Sequence, residues 1–225
     1  MSNLNDKSVI DSWNQNASAW ITAIENEEIA SRKLVTNKAI LDAVTSYSPA
    51  NILDIGCGEG WLTRELTIKR IEAWGVDGVD RLIEKAQLMN CGKFLVASYE
   101  DIVNSNKIDI NFDAAVCNFS LLGKETVDNL INSIPGLLKN KKLLFIQTLH
   151  PAIGCGESPY IDGWREELWN GFNSEFKQAA PWYFRKLSTW INLLKSAGFS
   201  ILECREPINP ITQKPASIIF IASCK

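Results

Sequence analysis

The chain is poor in the residues that most metal and redox chemistry needs. Its 225 residues include a single histidine, His150, and no carboxylates crowded together in sequence, so a resident catalytic metal is not expected. Six cysteines, at 57, 91, 117, 155, 204 and 224, have neither metal-ligand nor Cys-x-x-Cys spacing. Three of them fall in or beside expected strands, where a free thiol serves as a small apolar filler. No apolar run approaches the ~18 residues of a spanning helix, which excludes membrane insertion. The polar opening Met1–Lys7 lacks the pattern of a secretory signal, and a reducing, cytoplasmic setting is expected. Basic residues never cluster: Lys139–Lys142 is the densest patch and reads as a solvated turn. With a net charge of −3 and a pI near 5.4, there is no footprint for a nucleic-acid partner. Repeats and low-complexity segments are absent, and nothing in the composition bears on oligomeric state.

What the chain does have is a short, dense signal. The apolar run Asn51-Ile52-Leu53 ends in Asp54, and Gly56, Gly58 and Gly60 follow at every second position. A helical segment starts at once at Trp61. A strand that enters a glycine turn and then a helix brings backbone N–H groups close to a ligand, because no Cβ intervenes. Twenty-three residues after Asp54, Gly75-Val76-Asp77 forms a second strand end carrying a carboxylate, placed to accept hydrogen bonds from the two hydroxyls of a ribose. A nucleoside-containing cofactor across the carboxyl ends of a parallel sheet is therefore expected. Dinucleotide folds use Gly-x-Gly-x-x-Gly; the Asp-x-Gly-x-Gly-x-Gly here does not fit that template, which disfavours an NAD-binding oxidoreductase.

This pattern resembles the first motif of class I S-adenosylmethionine-dependent methyltransferases of the small-molecule type, the ubiquinone- and menaquinone-biosynthesis-like superfamily. Three further pieces agree in order: Gly75–Ala86 is similar to the family's acidic loop and following helix, Phe112–Leu122 to its fourth motif, and Leu137–Ile146 to the helix end and fifth strand. The match runs from about Leu34 to Ile146 and includes the last two strands. It implies a Rossmann-like, seven-stranded, mostly parallel α/β sheet with an antiparallel C-terminal strand.

The periodicity fits. Residues 1–10 read as loose; apolar positions 13, 17, 20, 21 and 24 predict a helix from Asp11 to Ala30, and a second covers Leu34–Val44. Strands are expected at 51–55, 72–77, 93–98, 112–118 and 142–149, with helices near 61–70, 79–90 and 125–138. The connection from Ser98 to Phe112 is short for a full crossover helix. Leu187–Ala197 predicts a helix closed by Gly198. Phe199–Glu206 and Ala216–Cys224 predict strands joined by a loop too short for a crossover, hence an antiparallel hairpin. One domain spanning 1–225 is expected, with 1–48 as N-terminal helices forming a lid and 151–186 as a cap inserted after the fifth strand. Four of the eight tryptophans lie between Trp164 and Trp190, among turn residues, which suits a cap whose rings line a pocket or staple a long connection to the core.

The resemblance assigns roles. Gly56, Cys57 and Gly58 would approach the methionine part of S-adenosyl-L-methionine, with Trp61 and Gly78 alongside. Asp77 would hold the ribose. Val79 and the Ser98-Tyr99 pair would flank or bond the adenine, although many relatives carry an acidic residue where this chain has Ser98. Asn118 and Phe119, at the fourth strand's end, would lie nearest the reactive methyl. Asp54 is expected to bond the glycine turn. Arg32 would bond the cofactor's carboxylate bidentately or lie exposed on a helix. Trp13 and Trp20 could close over the site or pack in the core.

Trp20, Leu122, Tyr160, Trp164, Trp182 and Tyr183 are the candidate acceptor-binding residues. His150, ending the fifth strand, is the candidate general base, against a turn histidine bonded to backbone. The Asn-Pro-Pro-Tyr and Asp-Pro-Pro-Tyr motifs of amino-group DNA methylases are absent. Methyl transfer to a small-molecule acceptor, releasing S-adenosyl-L-homocysteine, is the leading expectation; a module that binds the cofactor as a sensor without transfer is the alternative.

Overall fold

The computed structural model describes residues 4–104, 108, 110–167, 169, 172, 175–177 and 179–225. Its strands are β1 (Asn51–Ile55), β2 (Glu72–Asp77), β3 (Lys93–Val96), β4 (Phe112–Asn118), β5 (Leu138–Thr148), β6 (Gly163–Glu167), β7 (Ala180–Phe184), β8 (Phe199–Arg205) and β9 (Ile218–Cys224). The helices are α1 (Asp6–Glu25), α2 (Asn37–Tyr47), α3 (Trp61–Ile68), α4 (Asp80–Leu88), α5 (Tyr99–Val103), α6 (Glu125–Leu137), α7 (Pro151–Gly154) and α8 (Leu187–Ser196).

Seven strands form one sheet in the order β3-β2-β1-β4-β5-β9-β8. Strands β1 to β5 are parallel, and β9 runs antiparallel to both β5 and β8. This is the Rossmann-like sheet with an antiparallel last strand that the sequence implies. Strand alternation explains why both faces are covered. Leu53, Ile55, Ala115, Cys117, Leu144, Ile146 and Phe220 face α6 and α8, whose Leu130, Ile131, Ile134 and Leu194 are fully buried. The intervening Ile52, Ala114, Val116, Phe145 and Ile221 face Ile40 and Val44 of α2 and Leu62 and Leu66 of α3.

Several boundaries differ from the sequence expectation, each for a local reason. Helix α1 starts at Asp6, inside the stretch read as loose, because Asn5 and Ser8 form a reciprocal capping box with both bonds at 3.0 Å. It also ends at Glu25 rather than Ala30. A single π-helical turn, Arg32–Thr36, delays α2 to Asn37. Strand β3 stops at Val96 because Ser98 is the N-cap of α5, accepting the Asp101 N–H at 3.1 Å. Strand β5 begins at Leu138, so the lysine-rich stretch read as a turn lies within a strand; Leu138 pairs with Phe112 across a register shift. The C-terminal helix ends as expected, with Gly198 at φ +85° beyond its cap.

The insertion after β5 contains α7 and a two-stranded antiparallel ribbon, β6–β7, in which Trp164 stands opposite Tyr183. Part of it, including Leu168, Asn170, Gly171 and Gln178, lies outside the described residues. Helix α1 packs on β7 and α4. It is tied to the insertion by the Ser12 hydroxyl donating to Ala179 O at 3.0 Å and the Lys177 N–H donating to Asn16 at 2.8 Å. Trp13 and Trp20 of α1 form an edge-packed cluster with Trp169, at centroid separations of 5.1 to 6.4 Å. The N-terminal helix and the insertion thus meet over one end of the sheet.

Candidate functional site

That end is the carboxyl end, where chain order reverses between β1 and β4, the place at which open α/β sheets bind ligands. A cavity of about 880 Å³ opens there, near the upper limit of the roughly 300–1,000 Å³ typical of ligand sites. Its walls come from the glycine turn, the ends of β2, β4 and β5, helix α1 and the insertion.

The glycine turn is built by geometry that only glycine tolerates. Gly56 and Gly58 adopt φ of +72° and +58°. At Gly56 a Cβ would lie 2.3 Å from Ser120 Cβ, because the chain after β4 crosses the turn and the Ser120 hydroxyl donates to Ile55 O at 2.7 Å. Gly56 and Cys57 donate their N–H groups to Val76 O at 2.8 and 3.0 Å, fastening the turn to β2. At Gly58, by contrast, an added Cβ would meet only Trp20 Nε1, at 3.9 Å, so the turn is open on the side facing α1.

Asp77 completes this cradle. Its Oδ2 accepts the Gly58 N–H and its Oδ1 the Val79 N–H, both at 2.9 Å. Two backbone donors fix the carboxylate's orientation, and each oxygen keeps a further lone pair. Burial raises the Asp77 pKa above its ordinary value and Glu59 adds to the rise, while the backbone N–H groups around the carboxylate oppose it. Asp54 differs from expectation: its carboxylate accepts the Thr63 hydroxyl at 2.7 Å, so it ties β1 to α3 rather than bonding the turn's backbone. Burial pushes its pKa up to about 7, with Asp77 and Glu59 adding to the rise.

Arg32 reaches the cavity from the π-helical turn. Its guanidinium lies 5.2 Å from the Trp61 ring and 6.0 Å from Trp20 and donates to Asn37 at 3.4 Å. Its Nη2 is 3.6 Å from Oε1 of Glu59, a buried oxygen without a hydrogen-bond partner. Glu59 escaped the sequence reading; its place between two turn glycines gave no sign that its side chain would fold inward. Arg32 is itself mostly buried rather than exposed on a helix, and burial lowers its pKa against the opposing pull of Glu59.

Most expected positions line this one cavity: Arg32, Gly56, Cys57, Gly58, Trp61, Asp77, Gly78, Val79, Ser98, Tyr99, Asn118 and Phe119 from the cofactor set, and Trp20, Leu122, Trp182 and Tyr183 from the acceptor set. Two have their polar groups engaged elsewhere. The Ser98 hydroxyl is spent on the α5 cap, also donating to Asp101 at 3.1 Å, and the Tyr99 hydroxyl donates to Ser120 O at 2.8 Å.

Three expected positions are not brought to the cavity walls. His150 stands beyond the β5 end as the N-cap residue of α7, and its Nε2 contacts Glu206 Oε1 at 2.7 Å; it is bonded to a carboxylate rather than to backbone. Tyr160 is 44% exposed and its hydroxyl accepts the Leu187 N–H of α8 at 3.0 Å. Trp164 packs edge-on against Tyr183, 5.4 Å between centroids, behind the ring that lines the wall.

Residues that the sequence did not single out also contribute. Asp6 of α1 accepts the N–H groups of Lys124, Glu125 and Thr126 at 2.5, 3.0 and 3.3 Å, capping α6 from another part of the chain. The capping box at Asn5–Ser8 was the available sequence signal for that early helix start. Thr148, Leu149 and Trp169 are also among the wall residues.

A family model described as a methyltransferase domain matches residues 28–204. An uncharacterized methyltransferase of Schizosaccharomyces pombe is 20% identical over 73% of this chain, which spans 64% of that relative's length. A putative S-adenosylmethionine-dependent methyltransferase from Listeria monocytogenes superposes with a TM-score of 0.61 at 16% identity, over 78% of this chain and 91% of that one. Magnesium protoporphyrin IX methyltransferase from Synechocystis PCC 6803, solved with bound S-adenosylhomocysteine, gives 0.59 at 17% identity, over 84% and 81%.

Proposed function

The chain belongs to the methyltransferase-domain family and has the fold of S-adenosylmethionine-dependent methyltransferases, and on that premise we propose that it moves a methyl group from S-adenosyl-L-methionine to a small, largely apolar acceptor. The observation that carries this reading is the Asp77 carboxylate, locked to the glycine turn with acceptor capacity to spare beneath a large cavity. A ribose diol fits that remaining capacity. The open side of Gly58 leaves room for the ligand's chain.

Bound there, the cofactor would supply an electrophilic methyl on a sulfonium. The protein's own residues provide position. Arg32 takes the amino-acid carboxylate in a charge-assisted bond, and the Glu59 carboxylate, ion-paired with Arg32 at 3.6 Å, stands beside it for the ammonium. Val79 and the Tyr99 ring flank the base; the engaged Ser98 hydroxyl leaves the adenine contact mainly apolar. Helix α1 and the described part of the insertion act as a cover that excludes water from the reacting groups, with Asp6 fastening α1 to α6; α2, expected in the lid, instead packs its Ile40 and Val44 into the core against the sheet. Trp20, Leu122, Trp182 and Tyr183 bound the acceptor's side of the cavity. His150 has no part in this scheme, because it is paired with Glu206 away from the walls.

The test is a screen of small apolar acceptors in which S-adenosylhomocysteine produced is counted. Acceptor-dependent turnover is the expected result. Tight cofactor binding with no turnover on any acceptor would favour a sensor, and NAD binding in preference to S-adenosylhomocysteine would overturn both.

A further inference from the structure

Arg185, directly after β7, puts a cation into an aromatic stretch of the cavity wall. Its side chain is 1% exposed, yet its guanidinium is only partly matched. Nη1 donates to Gly123 O, and Nη2 to Lys124 O and Asp128 Oδ1, all at 2.8 Å. A guanidinium carries five N–H donors, so the Nε–H and one Nη1–H have no partner among the described residues. Asp128, the carboxylate bonded to it, is 41% exposed and shares its charge with water. A buried cation without an equally buried counter-charge is costly, and buried donors left unpaired call for a ligand.

Stability does not account for a cation at this place. The guanidinium stands at the N-terminal end of α6, the positive end of the helix dipole, where positive charge is disfavoured. It lies 5.0 Å from the centroid of the Tyr183 ring and 5.2 Å from that of Trp190. The Lys124 ammonium, 5.9 Å from the same Tyr183 ring, adds a second positive charge. The Tyr183 N–H donates to Leu122 O at 2.7 Å, so the group is held firmly against the segment that follows β4. The other cations in the described walls are matched by carboxylates: Lys7 by Asp11 at 2.5 Å, and Arg32 by Glu59 on the side proposed for the cofactor. Asp6, the acidic wall residue at this helix end, is committed to the N–H groups of Lys124, Glu125 and Thr126 and to the Thr126 hydroxyl.

Resting on the methyl-transfer reading above, we infer that the acceptor is an aromatic body carrying a carboxylate, and that Arg185 holds this carboxylate as an anchor. A carboxylate accepts charge-assisted hydrogen bonds from a guanidinium, and its charge supplies the counter-ion that the buried cation and the helix end lack. Tyr183 and Trp190, both wall residues, give the aromatic body its contact beside the charge. An anchor fixed between β7 and α6 orients the acceptor before reaction, so its effect falls on acceptor binding and not on the cofactor. Arg185 thereby selects anionic aromatic acceptors over their neutral counterparts.

The experiment uses the full chain saturated with S-adenosylhomocysteine and titrates benzoate, 2-naphthoate and anthracene-2-carboxylate by calorimetry, each against its carboxamide. Wild type should bind at least one carboxylate tenfold or more tighter than the matching carboxamide. Arg185→Gln should abolish that preference, with S-adenosylhomocysteine affinity within threefold. Asp128→Asn keeps an oxygen for the guanidinium and removes the competing charge, so it should raise carboxylate affinity at least threefold; an arginine that only braces β7 gives no such rise. Carboxamides bound as tightly as carboxylates, no binding of any carboxylate, a preference that survives Arg185→Gln, or unchanged carboxylate affinity in Asp128→Asn overturns the inference. If Arg185→Gln does not fold, the wild-type and Asp128→Asn titrations decide it. Failure of wild type to bind S-adenosylhomocysteine would instead overturn the methyl-transfer reading beneath it.

Discussion

The two halves of the cavity are built on different terms. The side proposed for the cofactor is made of backbone: three turn glycines, N–H groups fastened to β2, and a carboxylate fixed by two further N–H bonds. The side proposed for the acceptor is made of side chains on α1 and the β6–β7 ribbon, packed ring against ring. Backbone geometry admits few substitutes, whereas aromatic walls repack at modest cost. The first half accordingly leaves a short sequence signature and the second a composition only.

The largest effect should come where backbone meets backbone. Gly56→Ala puts a Cβ 2.3 Å from Ser120 Cβ at a φ of +72°, so either the turn or the β4 end must move. A loss of about 3 kcal/mol or more in denaturant melts is expected, with S-adenosylhomocysteine affinity reduced at least a hundredfold. A variant as stable as wild type would mean that the turn is softer than its contacts imply.

Asp54 gives a pH signature of the same rigid half. Its folded pKa, about 7, is raised from an ordinary 3.8 chiefly by burial, so between those values the folded state holds more protons than the unfolded one. Stability from this group is therefore full below about pH 4 and declines as pH rises through 7. Asp54→Asn, whose amide oxygen can still accept the Thr63 hydroxyl, should flatten that decline. It should exceed wild type at pH 8 by on the order of 2 kcal/mol and match it near pH 4. Parallel stability–pH curves would remove the burial argument.

Asp6 tests the seam between the halves. Asp6→Ala leaves the α6 N–H groups without their carboxylate, which should cost about 1–2 kcal/mol and speed amide exchange across α1. Unchanged exchange would show that the aromatic cluster alone holds the helix. The smallest effect on the cofactor is expected from the soft half: Trp182→Ala or Tyr183→Ala should impair acceptor turnover while leaving S-adenosylhomocysteine affinity within about threefold. If either abolishes cofactor binding, the division between the halves is wrong.

The same division governs what could be read from the sequence. Strands β1, β2 and β4 fall on their expected residues because each is an apolar run closed by a turn signal. The glycine spacing placed Gly56, Gly58 and Asp77 around one cavity, since strand ends in a parallel sheet share a side. Side-chain direction was not legible. The Trp164 and Tyr183 rings face one another across the ribbon, yet only Tyr183 reaches the wall. His150, expected to end β5, lies two residues past the strand's end at Thr148 and is the N-cap residue of α7, and its ring pairs with the carboxylate of Glu206, 56 residues away. Asp6 and Glu59 act through partners distant in sequence or through an inward fold of the turn, and neither has a local pattern.

The central claim is that the turn and Asp77 form a cofactor cradle, and calorimetry of the full chain with S-adenosylhomocysteine tests it most directly. One equivalent should bind, and Asp77→Ala should weaken binding at least tenfold, because the ribose hydroxyls lose their acceptor while the Gly58 and Val79 N–H groups lose theirs. No binding at millimolar ligand, or equal affinity in the two proteins, would contradict the account.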